Sequence, residues 1–336
     1  MERMSETIRL GFTGDVMLGR LVNERQQHRP PHAVWGSIRE SLQSLDGLFV
    51  NLECCLSTRG EQWQRTYRPF HFRADPDWAI PALQDVGVTW VTLANNHVLD
   101  FEEVALEDTF DALEEAEIPY AGAGRTEADA WEPSHVQVAG LDVALVAFTD
   151  NTPEYAADGE SPGTAHVPID PEDDAVLERV EAALGSARTH DPDVLVASLH
   201  WGPNKREHPP QSFQDFAHWL VERGVDILHG HSAHVFQGVE VYDDSVILYD
   251  TGDFVDDYAV DETLRNDRSF LFEARVSSEG DVHDLRLHPT EIGELAVHRA
   301  SSSIAQWCRK RLRERSSSFG TTFERVDDGL RVEIRE

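Results

Sequence analysis

The chain has 336 residues, 40% of them hydrophobic and 22 of them glycine, which suffices for the core of one large α/β domain or two small ones and excludes a disordered chain. Its formal net charge is -33, from 62 acidic residues against 29 basic ones, and that sign excludes nucleic acid and anionic membranes as partners, because both require Lys or Arg to neutralise phosphate. No stretch approaches the ~20 apolar residues of a membrane span, and the start MERMSETIRLGFTGD has no apolar signal core, so the sequence reads as a soluble cytoplasmic protein without membrane insertion.

Short β-rich apolar runs predict strands at residues 8–12, 48–52, 88–93, 143–148, 194–199, 227–228, 246–249 and 269–274. Helical spacing predicts helices through Trp35, Ile38, Leu42 and Leu45, then over 104–116, 176–184 and 213–221, the last with Ala217 and Leu220 on one face. This alternation means α/β with mainly parallel pairing. Residues 136–148, broken at 139–142, and 239–249, around Asp243 and Asp244, read instead as hairpins, so a mixed sheet or two sheets fits better than one doubly wound sheet. The polar stretch 150–168, rich in Gly, Pro and Asp, is the segment best suited to move over a site. Beyond about residue 290 come a basic helix, 303–315, expected to dock on the chain's own acidic surface, and a short hairpin, 323–334. Cys54, Cys55 and Cys308 have neither disulfide nor zinc spacing and read as packing residues. At molar salt the Debye length falls to roughly 3 Å, so the acidic surface reads as solvation in a salt-loaded cytoplasm.

Ligands in open α/β sheets bind beyond the carboxyl ends of the strands, and here those ends are polar. Asp15 follows the first strand, Asn51 and Glu53 the second, and Asn95, Asn96, His97 and Asp100 the third. His200 follows the strand at 194–199, His231 and His234 the one at 227, and Asp250 and Asp253 the one at 246–249. Each alone has an ordinary explanation as a turn former, a helix cap or a satisfied structural histidine. Together they supply what a hydrolytic metal centre requires: carboxylate and amide oxygens for hard cations, imidazole for Mn, Fe or Zn, and a carboxylate placed to bridge two ions.

The segments GDVMLGR (14–20), NLE (51–53), LANNHVLDF (93–101), AGAGR (121–125), SLHWG (198–202), GHSAHVFQGVEVY (230–242) and YDTGDF (249–254) resemble, in order, the motifs of the CapA family. Those proteins are associated with capsular poly-γ-glutamate synthesis and have the calcineurin-like metallophosphatase fold. The resemblance implies an α/β sandwich in four layers, two mixed sheets flanked by helices, over residues 7–290, with 291–336 as a C-terminal extension. It implies Asp15 as a ligand to one ion, Glu53 as the bridging carboxylate, and Asn96, His200, His231 and His234 as further ligands to one or two divalent ions of Mn, Fe, Zn or Mg. It also implies His97 as the acid that protonates the leaving oxygen, oriented by Asp100, with Arg20, Asn51 and Asp253 as supporting or substrate-binding residues. The implied activity is metal-dependent hydrolysis of a small phosphoester or action on an anionic polymer in capsule metabolism. The alternative is a non-catalytic, polymer-binding subunit of capsule-synthesis machinery. Two positions depart from the pattern: Met17 stands where the wider superfamily has the histidine of Asp-x-His, and Pro203 and Asn204 follow HisTrpGly where relatives carry an acidic residue.

Overall fold

The computed structural model describes residues 7–335. Its frame is two mixed sheets lying face to face. In the ten-stranded sheet the Ile8–Val16 strand is central, parallel to Gly47–Leu52 on one side and antiparallel to Arg268–Val276 on the other. Gly47–Leu52 pairs in parallel with Val88–Thr92. On the far side Val282–Gly293 follows, and the position at 290 falls within it. Ala296–Arg299 and Gly329–Glu333 both pair with that strand, so the residues after 290 continue the same sheet. In the six-stranded sheet, Leu141–Thr149, Val194–His200, Ile227–His231 and Ser245–Leu248 run parallel to their neighbours. Ser134–Val138 and Val239–Tyr242 form its antiparallel edges.

Alternation along each strand sends one set of side chains between the sheets and the other outward. Leu10, Phe12, Phe49 and Trp90 meet Val143, Leu145, Val194, Val196 and Ile227 in the inter-sheet core. The outer face of the large sheet packs Val50 and Val91 against Leu83 and Phe110, from the helices Pro76–Asp85 and Glu102–Glu115. The outer face of the small sheet packs Leu195 and Ala197 against Val180 and Leu184 of Asp174–Ala187 and Phe216 and Leu220 of Gln211–Val221. Each such side chain contributes about 1.5–3 kcal/mol by leaving water. The result is the α/β sandwich in four layers that the family resemblance implies.

Three local expectations change. The helix expected through Trp35–Leu45 is a 3-10 run, Pro31–Ile38, kinked at Gly36 and followed by the short helix Arg39–Gln43, because Gly36 takes φ +38 and leaves the helical region. The stretch 150–168 is tied down: Val167 N–H donates to the Thr149 carbonyl, Gly163–Thr164 pairs with Ala123–Gly124, and Tyr155 is fully buried. The basic helix, Ser302–Ser316, sends Cys308 and Leu312 into the inter-sheet core, and only Arg315 of its buried cations meets a distant carboxylate, that of Glu207. Arg309 donates instead to the Asp328 carbonyl. The hairpins form as expected, the first turning at Ala139 and Gly140 with positive φ at both. Among the described residues no helix is long and apolar enough to cross a membrane.

Candidate metal centre

The centre lies where carboxyl ends of strands from both sheets meet. Pairing of the first strand with its parallel neighbour shifts register between Phe12 and Asp15, an irregularity that bends the strand end and re-aims the residue after it. Gly14 in this bend must be glycine, since a Cβ there would lie 1.9 Å from the Gly252 carbonyl oxygen. The Asp15 N–H donates to that same oxygen at 2.8 Å. The bend leaves the Thr13 carbonyl to the opposite sheet, where His229 Nε2 donates to it at 2.7 Å. His229 is therefore a buried link between the sheets, and His231 and His234 are the imidazoles that reach the centre.

Asp15 is common to two groups of ligand-type atoms, each within 4.8 Å of one another: Asp15, His200 and His231, and Asp15, Glu53 and His234. His234 Nδ1 lies 3.3 Å from Asp15 Oδ2 and 2.8 Å from Asp253 Oδ1. His200 and His231 approach through their Nδ1 atoms at 2.9 Å. Asn51 donates to Asp15 Oδ1 at 2.7 Å and accepts from Asn95 at 2.9 Å, which fixes the carboxylate from behind. Tyr258 donates its hydroxyl to Glu53 Oε2 at 3.0 Å. The loop that presents His234 is shaped by Asp250, which accepts from Ala233 N–H and Gly252 N–H, and it holds His234 at φ 58.

The residues fit a divalent cation. Asp15 Oδ2, Glu53 Oε1, Asn96 Oδ1 and Asp253 Oδ2 are buried without a hydrogen-bond partner, and buried oxygens left so cost about 1–3 kcal/mol each or more when charged. Burial pushes the Glu53 carboxyl up, and the neighbouring Asp15 charge pushes it further. Burial opposes the His234 proton, yet the charges of Asp253 and Glu53 outweigh it and hold that proton tightly. Burial lowers His200 to about 3 and takes His231 well below the usual imidazole range, so both are neutral and ready to donate a lone pair.

His97 stands beside this group on the turn after Val88–Thr92. Its Nδ1 donates to Asp100 Oδ2 at 2.6 Å, its ring stacks on Phe72 at 3.8 Å, and its Nε2 lies 3.2 Å from the Asn96 side-chain nitrogen. Asp100 also accepts from the Phe72 N–H at 2.7 Å and the Tyr155 hydroxyl at 3.0 Å. Burial lowers the His97 proton affinity, and Asp100 works against that.

The structure thus gathers Asp15, Asn51, Glu53, Asn96, His97, Asp100, His200, His231, His234 and Asp253 in one place. Arg20 stays at the rim: its Nε is 3.2 Å from Asp257 Oδ2, and its guanidinium lies over Phe70 and Phe72. The sequence reading named Asn95 among the polar strand-end residues without giving it a role, and it left out Tyr155, Tyr258 and Arg68. Asn95 sat inside a motif already singled out, whereas the two tyrosines and Arg68 carry no spacing signal and become legible only when distant segments close on the centre.

Residues 9–258 match the family model described as bacterial capsule synthesis protein PGA_cap. A probable polyglutamine synthesis accessory protein of Mycobacterium tuberculosis is 32% identical over 310 residues, covering 88% of this chain and 80% of that protein. The capsule biosynthesis protein CapA of Bacillus anthracis is 28% identical over 334 residues, covering 99% and 79% respectively. Among solved structures, a novel phosphatase of Mycoplasma pneumoniae aligns over 83% of this chain and 91% of its own, with 12% identity and a TM-score of 0.47. With the family model spanning most of the chain and the mycobacterial relative above 30% identity, this chain belongs to the PGA_cap family of bacterial capsule synthesis proteins, which includes CapA.

Proposed function

We propose that the protein is a metal-dependent hydrolase of phosphoesters, holding one or two divalent ions through Asp15, Glu53, Asn96, His200, His231 and His234. The observation that supports this most is the pair of ligand groups that share Asp15, with Asp15 Oδ2 and Glu53 Oε1 buried and without a hydrogen-bond partner. A bound ion of this kind supplies a Lewis acid and a water activated near neutral pH. The chain's own residues do the rest. Asn51 and Tyr258 hold the Asp15 and Glu53 carboxylates in place. Asp100 accepts from His97 Nδ1 and so turns Nε2 toward the site; in the doubly protonated ring, which the Asp100 charge favours, Nε2 would deliver its proton to the leaving oxygen. Phe72, stacked on the ring, fixes its plane and keeps water from that face.

A second reading has the protein as an accessory subunit that uses the same cleft to bind an anionic polymer in capsule synthesis. It is favoured by the word accessory in the name of the mycobacterial relative. Alanine at His97 separates the two. In the hydrolase, His97→Ala lowers turnover of an aryl phosphate with Mn by roughly 10²–10⁴-fold while elemental analysis finds the metal content unchanged. Unmodified protein that binds metal but turns over no phosphoester decides for the accessory reading.

A further inference from the structure

In this acidic chain Arg20 has a carboxylate partner in Asp257. Arg68 is placed differently. Its Nη1 donates to Thr152 Oγ1 at 2.6 Å, its Nη2 donates to the Asn96 main-chain carbonyl, and its guanidinium lies over the Tyr155 ring at 4.8 Å. Tyr155 donates to Asp100, the carboxylate that holds His97. Arg68 is thus fastened to the residue before His97 and to the ring behind its partner. Among the described residues it has no carboxylate within ion-pair distance, its hydrogen bonds going to a hydroxyl and a carbonyl. Two of the five guanidinium N–H donors are used, which leaves three for a ligand.

The anchoring is built at some expense. Thr152 takes φ 54, a left-handed conformation that β-branched residues rarely adopt, and such strain persists only where surrounding contacts impose it. Thr66 donates to Glu154 at 2.8 Å, and Trp63 meets the Tyr155 ring edge-on at 4.7 Å, so two loops close around the guanidinium. Tyr67 and Phe70, two of the four exposed large apolar side chains among the described residues, flank it in sequence.

We propose that Arg68 is a specificity residue that binds an anionic group, carboxylate or phosphate, on the leaving side of the substrate, so that preferred substrates carry a second negative charge beyond the bond that is cleaved. The planar fork of arginine suits either oxyanion. This deepens the hydrolase reading and rests on it for the direction, since the leaving side is the His97 side.

Calorimetry on the Mn-loaded full chain, with phenylphosphonate and 4-carboxyphenylphosphonate as probes, tests the proposal. The unmodified protein binds the carboxylated probe tighter by roughly tenfold to a hundredfold. Arg68→Met loses that preference and keeps its affinity for phenylphosphonate, and Arg68→Lys, which retains charge without the fork, recovers part of it. Should the methionine variant fail to fold, as judged by its melting curve, an undiminished preference in Arg68→Lys overturns the proposal. Equal binding of the two probes by the unmodified protein, no binding of either, or a preference that survives Arg68→Met also overturns it. A preference that vanishes on substitution, together with no aryl phosphate turnover by the unmodified protein, removes the hydrolase reading and leaves Arg68 as an anion-binding residue.

Discussion

Glu273 shows how a buried charge far from the centre is made tolerable in so acidic a protein. It sits opposite Gly11 on the strand next to the first one, and accepts from Arg9 Nε at 2.9 Å and from His288 Nε2 at 2.8 Å. Burial pushes its carboxyl up, but the bonds from His288 and Arg9 outweigh this and bring it to about 2. A folded value below the unfolded one stabilises the protein above the unfolded carboxylate range, and that contribution is lost as the pH falls through about 2. Glu273→Gln is therefore expected to cost about 2 kcal/mol at pH 7, after discounting for the solvent around its half-exposed partners. In urea titrations the gap between variant and parent narrows steadily from about pH 4.5 downward. A gap that stays constant to pH 2 contradicts this account. The centre follows the same physics with a different outcome: among the described residues no arginine pairs with Asp15, Glu53 or Asp253, protonated His234 stands beside them, and a cation that took His234 as a ligand would replace that proton's charge.

At the scale of elements, the site depends on backbones that approach too closely for side chains. Gly230, in the Ile227–His231 strand, would place a Cβ 2.2 Å from the Tyr249 carbonyl oxygen and 2.7 Å from that of Leu248. Both obstacles are main chain, so the strand itself must move. Gly230→Ala is expected to destabilise by about 3 kcal/mol and to lower bound metal, because His231 is the next residue and His234 lies four residues on. Gly185 is the internal control. It lies in the Asp174–Ala187 helix with nothing near its added Cβ, and Gly185→Ala should stabilise by about 0.5–1 kcal/mol through helix propensity alone. Chemical denaturation of the two variants side by side checks both signs. The same contrast explains which elements were legible in sequence. Strands with β-branched runs and the helices at Glu102–Glu115 and Gln211–Val221 stand out by periodicity. The Trp35–Leu45 pattern also has helical spacing, but Gly36 turns out of it against His298 and the Val297 carbonyl, a contact made by a strand more than 250 residues away.

For the whole molecule, the charge of -33 is spread over a single sandwich. Self-repulsion of that size falls as the Debye length shortens from about 10 Å at 0.1 M salt to about 3 Å at 1 M, faster than the partly buried ion pairs weaken. The melting temperature should rise between low and molar KCl, and a flat or falling curve would contradict self-repulsion as a cost that salt relieves. The sequence by itself determined the α/β alternation, the hairpins and the strand ends that carry Asp15, Glu53, His200 and His231, because apolar periodicity and polar residues after a strand are local properties. Only the tertiary structure decided that Asp15 belongs to both ligand groups, that His229 links the sheets, that Arg20 is neutralised by Asp257, and that Arg68, Tyr155 and Tyr258 close on the centre. Those facts depend on which distant backbones are brought within a few ångströms of one another, and packing of the two sheets, with its bend at Gly14, sets that distance.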